Sequence, residues 1–164
     1  VHDLGASLAA SGFKKLVLFN THGGNAAVVD VMARDLRAEF GLRTFTLFGS
    51  AGAKFEGLDP QEAAYGFHAG EVETALLLSA TPELVHTGEY TRNYIADISK
   101  PELLKPEFSA ANFAWLTRDI AESGVMGDPS GATAEKGDQW IKAAAAKVAE
   151  ALTAMHHYQN RFHP

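Results

Sequence analysis

Three stretches of this chain hold residue types that do chemistry. "NTHGGN" (20–25) places a histidine directly after an apolar run and before two glycines. "FHAGEVETALLL" (67–78) carries His68 just ahead of Glu71 and Glu73, and "GDPSGATAEKG" (127–137) is a loop shaped by glycine and proline. Imidazole and carboxylate together suit divalent-metal binding or proton transfer.

Each stretch has a plainer reading. His22 can be a metal or proton-transfer residue, or a histidine bonded inside a tight turn; the turn alone does not choose. Gly23 and Gly24 let the backbone turn sharply and approach a ligand closely, and Asn25 leads into a helix whose first N–H groups are free. A phosphate cradle is a third reading, but neither GxxxxGK[ST] nor GxGxxG is present. Glu73 shares the i, i+3, i+4, i+7 stripe with Leu76, Leu77 and Ala80, so it is predicted on a buried face, where a carboxylate needs a partner or a metal. Glu71 points to another face, and His68 precedes the helix and can reach over its end. In the third stretch Ser130 and Thr133 can meet a substrate, yet Asp128, Thr133, Glu135 and Lys136 also read as ordinary cap or surface residues.

The elements that position these residues form an α/β pattern. Leu4, Leu8 and Ala9 give a short helical stripe stopped at Gly12. "KLVLF" reads as a strand buried on both faces, and the "NTHGGN" turn lies at its carboxyl end, where open α/β sheets bind ligands. Val28, Val29, Met32, Leu36 and Phe40 predict a helix ended by Gly41, and "LRTFTLFG" a second strand, so the sheet is mostly parallel. Residues 49–67 read as a polar connection, 69–80 as an apolar helix, and 81–129 as long loops with a strand around "NFAWLT". Thr133 is the predicted N-cap of a final alanine-rich helix. No linker divides residues 1–164, which read as a single domain.

Composition excludes several classes. The net charge of −6 offers no attraction to nucleic acid or anionic membrane. The absence of cysteine removes disulfides and thiolate chemistry and fits the cytoplasm. No apolar run reaches the roughly 20 residues needed to span a bilayer, and the first residues lack a signal-peptide pattern. His2, His86, His156, His157 and His163 read as structural or surface histidines.

Taken together, the three stretches resemble the creatininase family of metal-dependent amidohydrolases. "NTHGGN" looks like that family's N-x-H-G-G-N turn, "HAGEVET" like its H-A-G-x-x-E-T helix start, and "GDPSGATAEKG" like its G-x-P-x-x-A-T-A-E-K-G loop, in the same order. The resemblance implies a three-layer α/β/α sandwich with a mostly parallel central sheet, usually assembled as a hexamer. It implies two divalent metals, commonly zinc, manganese or iron, and a metal-bound hydroxide that attacks a small-molecule amide, cyclic or linear. By position His22 matches the family's metal-binding histidine, Glu73 a catalytic glutamate that is a metal ligand or its close neighbour, and His68 the histidine that passes a proton to the leaving nitrogen. Gly23, Gly24, Asn25, Glu71, Ser130 and Thr133 fall where substrate would bind.

Two departures stand out. Members that hydrolyse creatinine carry tyrosine and glutamate where this chain has Gly23 and Gly24, which points away from creatinine and toward other amides, including the peptide-processing branch. The family's remaining ligands come from a segment upstream of the helix at Leu4–Gly12. The chain opens on Val1 in what reads as the middle of an α/β unit, so the expectation is an N-terminally truncated domain that binds metal weakly alone. Two other classes stay open: an inactive structural or partner-binding module, and a phosphate- or nucleotide-binding α/β domain. Tyr65, Phe67, Tyr90, Tyr94, Trp115 and Phe48 are candidate pocket aromatics.

Overall fold

The computed structural model describes residues 1–95, 103–107 and 109–159; His163 lies outside them. The chain packs as two compact units, one of residues 1–54 and 142–164, the other of residues 55–141.

The first unit holds helix α1 (His2–Ala10), strand β1 (Lys15–Asn20), helix α2 (Ala26–Phe40) and strand β2 (Arg43–Phe48). β1 and β2 pair in parallel with Leu16 opposite Thr44, Leu18 opposite Thr46 and Asn20 opposite Phe48, as the helix–strand alternation predicts. α2 ends on Gly41 in the left-handed region at φ 68, the conformation glycine adopts most readily. Leu36, Leu42 and Leu47 form the core of the unit.

Two expectations are corrected here. β1 is half-buried rather than covered on both faces, with Phe19 exposed. In α1 it is Gly5, not Leu4, that is buried: a Cβ at Gly5 would meet the Leu36 side chain, with Cδ1 at 3.2 Å and Cδ2 closer, while Leu4 is exposed. The helices approach through a missing side chain, not through the predicted stripe.

Lys15 Nζ donates to the carbonyls of Met155 and His156 in the last turn of the final helix α6 (Ala134–His157) and of Tyr158 just past it, setting a cation at the helix C-terminus.

The second unit holds α3 (Pro60–Tyr65), α4 (Glu71–Ala80), a two-residue parallel pair β3 (Leu104–Lys105) and β4 (Ala111–Asn112), α5 (Thr117–Ile120) and the first part of α6. α3 falls inside the stretch expected to be a polar connection. Its signals are local: Asp59 Oδ1 caps the N–H groups of Gln61 and Glu62, and Pro60 sits at the first helical position. The strand expected around "NFAWLT" is limited to Ala111–Asn112, and Thr117 already begins α5.

Ala75, Ala121, Met126, Pro129 and Trp140 are among the buried residues of this unit. Trp140 donates its indole N–H to the Glu56 carbonyl at 3.0 Å and lies against Phe55. α4 and α6 touch at Gly137, where a Cβ would lie 2.6 Å from the Ala75 carbonyl carbon. Thr133 Oγ1 accepts the Lys136 N–H at 3.2 Å, the predicted N-cap.

The buried face of α4 differs from expectation. Glu71, Thr74 and Ala75 are buried, while Glu73, Leu77 and Ala80 are exposed. Small side chains at 74 and 75 let α6 come close, so the helix turns that face inward and leaves the leucine-rich stripe outside.

Candidate active site

On the first unit, the turn after β1 is built around Asn20. Its side-chain amide donates to the His22 carbonyl at 2.9 Å, and its Oδ1 accepts the His22 N–H at 3.2 Å and the Asn25 amide at 3.5 Å. Asn20 is buried, so these bonds satisfy a side chain that would otherwise cost free energy. They fold Gly23–Asn25 into a short 3₁₀ turn leading into α2. His22 is exposed, and its ring nitrogens take no hydrogen bond among the described residues. A Cβ on residue 24 would sit 3.0 Å from His22 Nε2, so glycine there keeps that nitrogen clear. The tight-turn alternative, with the imidazole bonded inside the turn, is therefore not what the geometry shows.

On the second unit, His68 Nδ1 lies 3.7 Å from Glu73 Oε2, with both side chains half exposed. The backbone arranges this. Ala69 takes a left-handed φ of 53, unusual for a residue with a side chain, and its N–H donates to Glu73 Oε2. His68 is also fixed by its main chain, which pairs with Met126 through bonds of 3.1 and 2.8 Å.

Beneath this turn lie two buried carboxylates. Glu71 accepts Lys136 Nζ on one oxygen and the Asp59 N–H on the other, the latter at 3.1 Å. Glu62 accepts the Glu71 N–H at 2.7 Å and the Asp128 N–H at 2.6 Å. A polar recess of about 150 Å³ opens here, edged by Glu62, Glu71, Arg92, Tyr94, Asp128 and Ser130. Of the six candidate aromatics, Tyr94 edges it; Phe67 and Trp115 lie against each other, and Phe48 ends β2 half exposed.

Burial, then a hydrogen bond with and the charge of Glu62, push the Tyr94 phenol well above its ordinary value. Asp128 moves the other way. The Ser130 hydroxyl holds its carboxyl below the usual range, helped by the Ser130 N–H and the Arg92 guanidinium against the opposing effect of burial.

The structure thus brings His68, Glu73, Glu71 and Ser130 onto one unit and sets His22, Gly23, Gly24 and Asn25 on the other. Thr133 spends its hydroxyl on the α6 cap. His22 and Glu73 fit a divalent ion in kind, as imidazole and carboxylate. Among the described residues no three His, Asp or Glu side chains gather as a metal-holding group. Sequence reasoning passed over Asn20 and Glu62. Asn20 was visible as the first residue of its own motif, and Glu62 as the third residue of a helix announced by Asp59-Pro60.

The chain belongs to the creatininase family: the family described as creatinine amidohydrolase matches residues 1–152. A mycofactocin precursor peptide peptidase of Mycobacterium ulcerans (strain Agy99) is 33% identical over 129 residues, 79% of this chain and 44% of that protein. The match therefore spans less than half the length of that relative. A candidate creatinine amidohydrolase from Bacteroides fragilis NCTC 9343 superposes with a TM-score of 0.71 at 27% identity, covering 96% of this chain and 60% of that one. A Zn–Zn form of a creatininase mutant and a manganese form of creatininase each give a TM-score of 0.61 at 24% identity, over 92% of this chain and 60% of theirs. The fold is that of the creatininases, the α/β/α arrangement with a mostly parallel sheet that the motifs implied. No helix among the described residues is long and apolar enough to cross a membrane.

Proposed function

We propose that this chain serves a metal-dependent hydrolase that cleaves an amide C–N bond with water, and that the amide belongs to a peptide rather than to creatinine. The observation that carries the reading is the approach of His68 to Glu73 at the start of α4, in a chain of this family. Peptide substrates are favoured because the curated relatives at 33–34% identity are peptide peptidases, and because Gly23 and Gly24 replace the side chains expected for creatinine.

His22 and Glu73 would each give a donor to a divalent ion, zinc, manganese or iron, two ions to a complete site; such an ion supplies an activated water near neutral pH. The water oxygen bonds to the carbonyl carbon, the C–N bond breaks, and the leaving nitrogen must gain a proton. His68, exposed and steadied through its main chain, holds that proton, and Glu73 keeps the imidazole oriented. On the first unit the N–H groups of Gly23 and Gly24 offer donors to a substrate oxygen, and Asn25, whose own N–H is spent on the His22 carbonyl, stands beside them. On the second, Glu71 and Ser130 edge the recess, and Thr133, three residues after Ser130, caps α6. The reading extends to a cytoplasmic homo-oligomer, which the cysteine-free composition supports for the compartment.

The test uses the intact purified protein: metal content by elemental analysis, then hydrolysis of a panel of short peptides and of creatinine, with and without chelator. Expected are retained divalent metal, chelator-sensitive peptide cleavage, loss of metal in His22→Ala and Glu73→Ala, and a drop of about 10²-fold or more in kcat for His68→Ala. Creatinine cleaved in preference to every peptide would overturn the substrate assignment. A non-catalytic module is the second reading, favoured by the incomplete donor set among the described residues. Absence of both metal and hydrolysis in the intact protein would establish it.

A further inference from the structure

Glu62 lies outside the three motifs, on α3, yet it is among the most deeply buried acids of the second unit. Its surroundings are organised around its carboxylate. Oε2 takes the N–H of Glu71, the first residue of α4, whose N-cap, Gly70, has no side chain to do so. Oε1 takes the N–H of Asp128 in the loop before α6. Tyr94 edges the same recess as Glu62. Three glycines make the room. A Cβ at Gly66 would lie 2.7 Å from Oε2, one at Gly70 would lie 3.1 Å from Cδ, and one at Gly127 would lie 2.7 Å from Oε1.

From these contacts we infer that Glu62 is a positioning residue for the His68–Glu73 pair, an assignment that rests on the hydrolase reading above. The carboxylate caps α4 from outside the helix and ties that cap to the Gly127–Asp128 backbone. The same backbone, one residue earlier, pairs with His68 through Met126. The two ties hold the segment 68–71 at both ends, and between them lies Ala69 in its left-handed conformation, whose N–H bonds Glu73. A left-handed alanine persists only where its neighbours over-determine it. Glu62 supplies that constraint. With both oxygens accepting, glutamine is not an equivalent: its NH₂ would face an N–H, leaving one of the two amides without an acceptor.

The test compares the intact wild type with Glu62→Gln and Glu62→Ala by residue-resolved amide hydrogen exchange and by steady-state kinetics on the peptide that the wild type cleaves best. The expected result for Glu62→Gln is at least tenfold faster exchange at Ala69 as well as at Glu71 and Asp128. Exchange at Leu36 in α2 stays unchanged, and kcat falls at least tenfold with KM within about threefold. If Glu71 and Asp128 exchange faster while Ala69 keeps its protection, Glu62 is a local cap and the inference is overturned. If either variant fails to fold, native-state exchange of the wild type in low denaturant decides: Ala69, Glu71 and Asp128 open together if Glu62 links them, and separately if it does not. The exchange result stands whether or not the protein hydrolyses amides, so failure of the functional reading is distinguishable from failure of this one.

Discussion

Gly137→Ala is the sharpest stability test the structure offers. In an exposed helix interior, replacing glycine by alanine is expected to stabilise by about 1 kcal/mol. Here the new Cβ would lie 2.6 Å from the carbonyl carbon of Ala75 and 2.9 Å from Ser79 Cβ, with the Ala75 carbonyl oxygen closer still. Carbon–carbon contact needs about 3.5 Å or more, and the obstacle is backbone, so α4 and α6 must move apart by about 1 Å. Overpacking of this kind costs roughly 1–3 kcal/mol and occasionally more, which outweighs the propensity gain. A net loss of about 1–2 kcal/mol is expected, a fall of about 2–8 °C in Tm for a chain of this size. Urea denaturation measures it as a lower midpoint at unchanged slope. Gly5→Ala is the control: it has the same helical context, but the obstacle is the end of the Leu36 side chain, which can bend away from its rotamer for about 1 kcal/mol. That variant should stay within about 1 kcal/mol of wild type by the same balance of terms. Gly137→Ala as stable as wild type would refute the close approach of the two helices.

Lys136→Met leaves Glu71, 1% exposed, without its cation, and should cost about 3 kcal/mol, the low end for a broken buried pair because the lysine is 30% exposed; chemical denaturation reads it. Asp128 has a folded-state pKa below its ordinary 3.8, so its contribution to stability is full above that value and is lost as pH falls through the depressed one. The stability gap between wild type and Asp128→Asn, followed by thermal melts from pH 6 down to pH 2, should therefore narrow at the acid end; a constant gap would contradict the assignment. Asn20→Ala removes the buried side chain that braces the turn, and a loss of about 1–2 kcal/mol is expected, with faster amide exchange at His22.

The sequence shows why some of this was readable and some not. The βα units of the first unit were legible because their periods and stop signals are local, as at Gly41. α4 illustrates the limit. In "EVETALLLSA" two stripes satisfy the helical rule, one through Glu73, Leu76, Leu77 and Ala80 and one through Glu71, Thr74, Ala75 and Leu78. Hydrophobicity favours the first; the structure buries the second, because packing against Gly137 rewards small side chains. The motif picks out His68 and Glu73, which the structure sets 3.7 Å apart, although the burial argument for Glu73 does not hold. The function of Glu62 depends on an N–H group supplied by Asp128, far along the chain, and no local pattern announces that. Lys136 read as a surface residue for the same reason: its partner, Glu71, lies on another helix.

The glycine at position 70 has an ordinary φ of −83, so nothing in its own backbone requires it. What forbids a side chain there is the carboxylate of Glu62. The two positions should therefore drift only as a pair: a lineage that shortened residue 62 would free residue 70 to become alanine, and one that kept the glutamate could not make that change. In a set of related sequences this would show as covariation between an acid and a missing methyl group, a signature of a buried charge written at a neutral position.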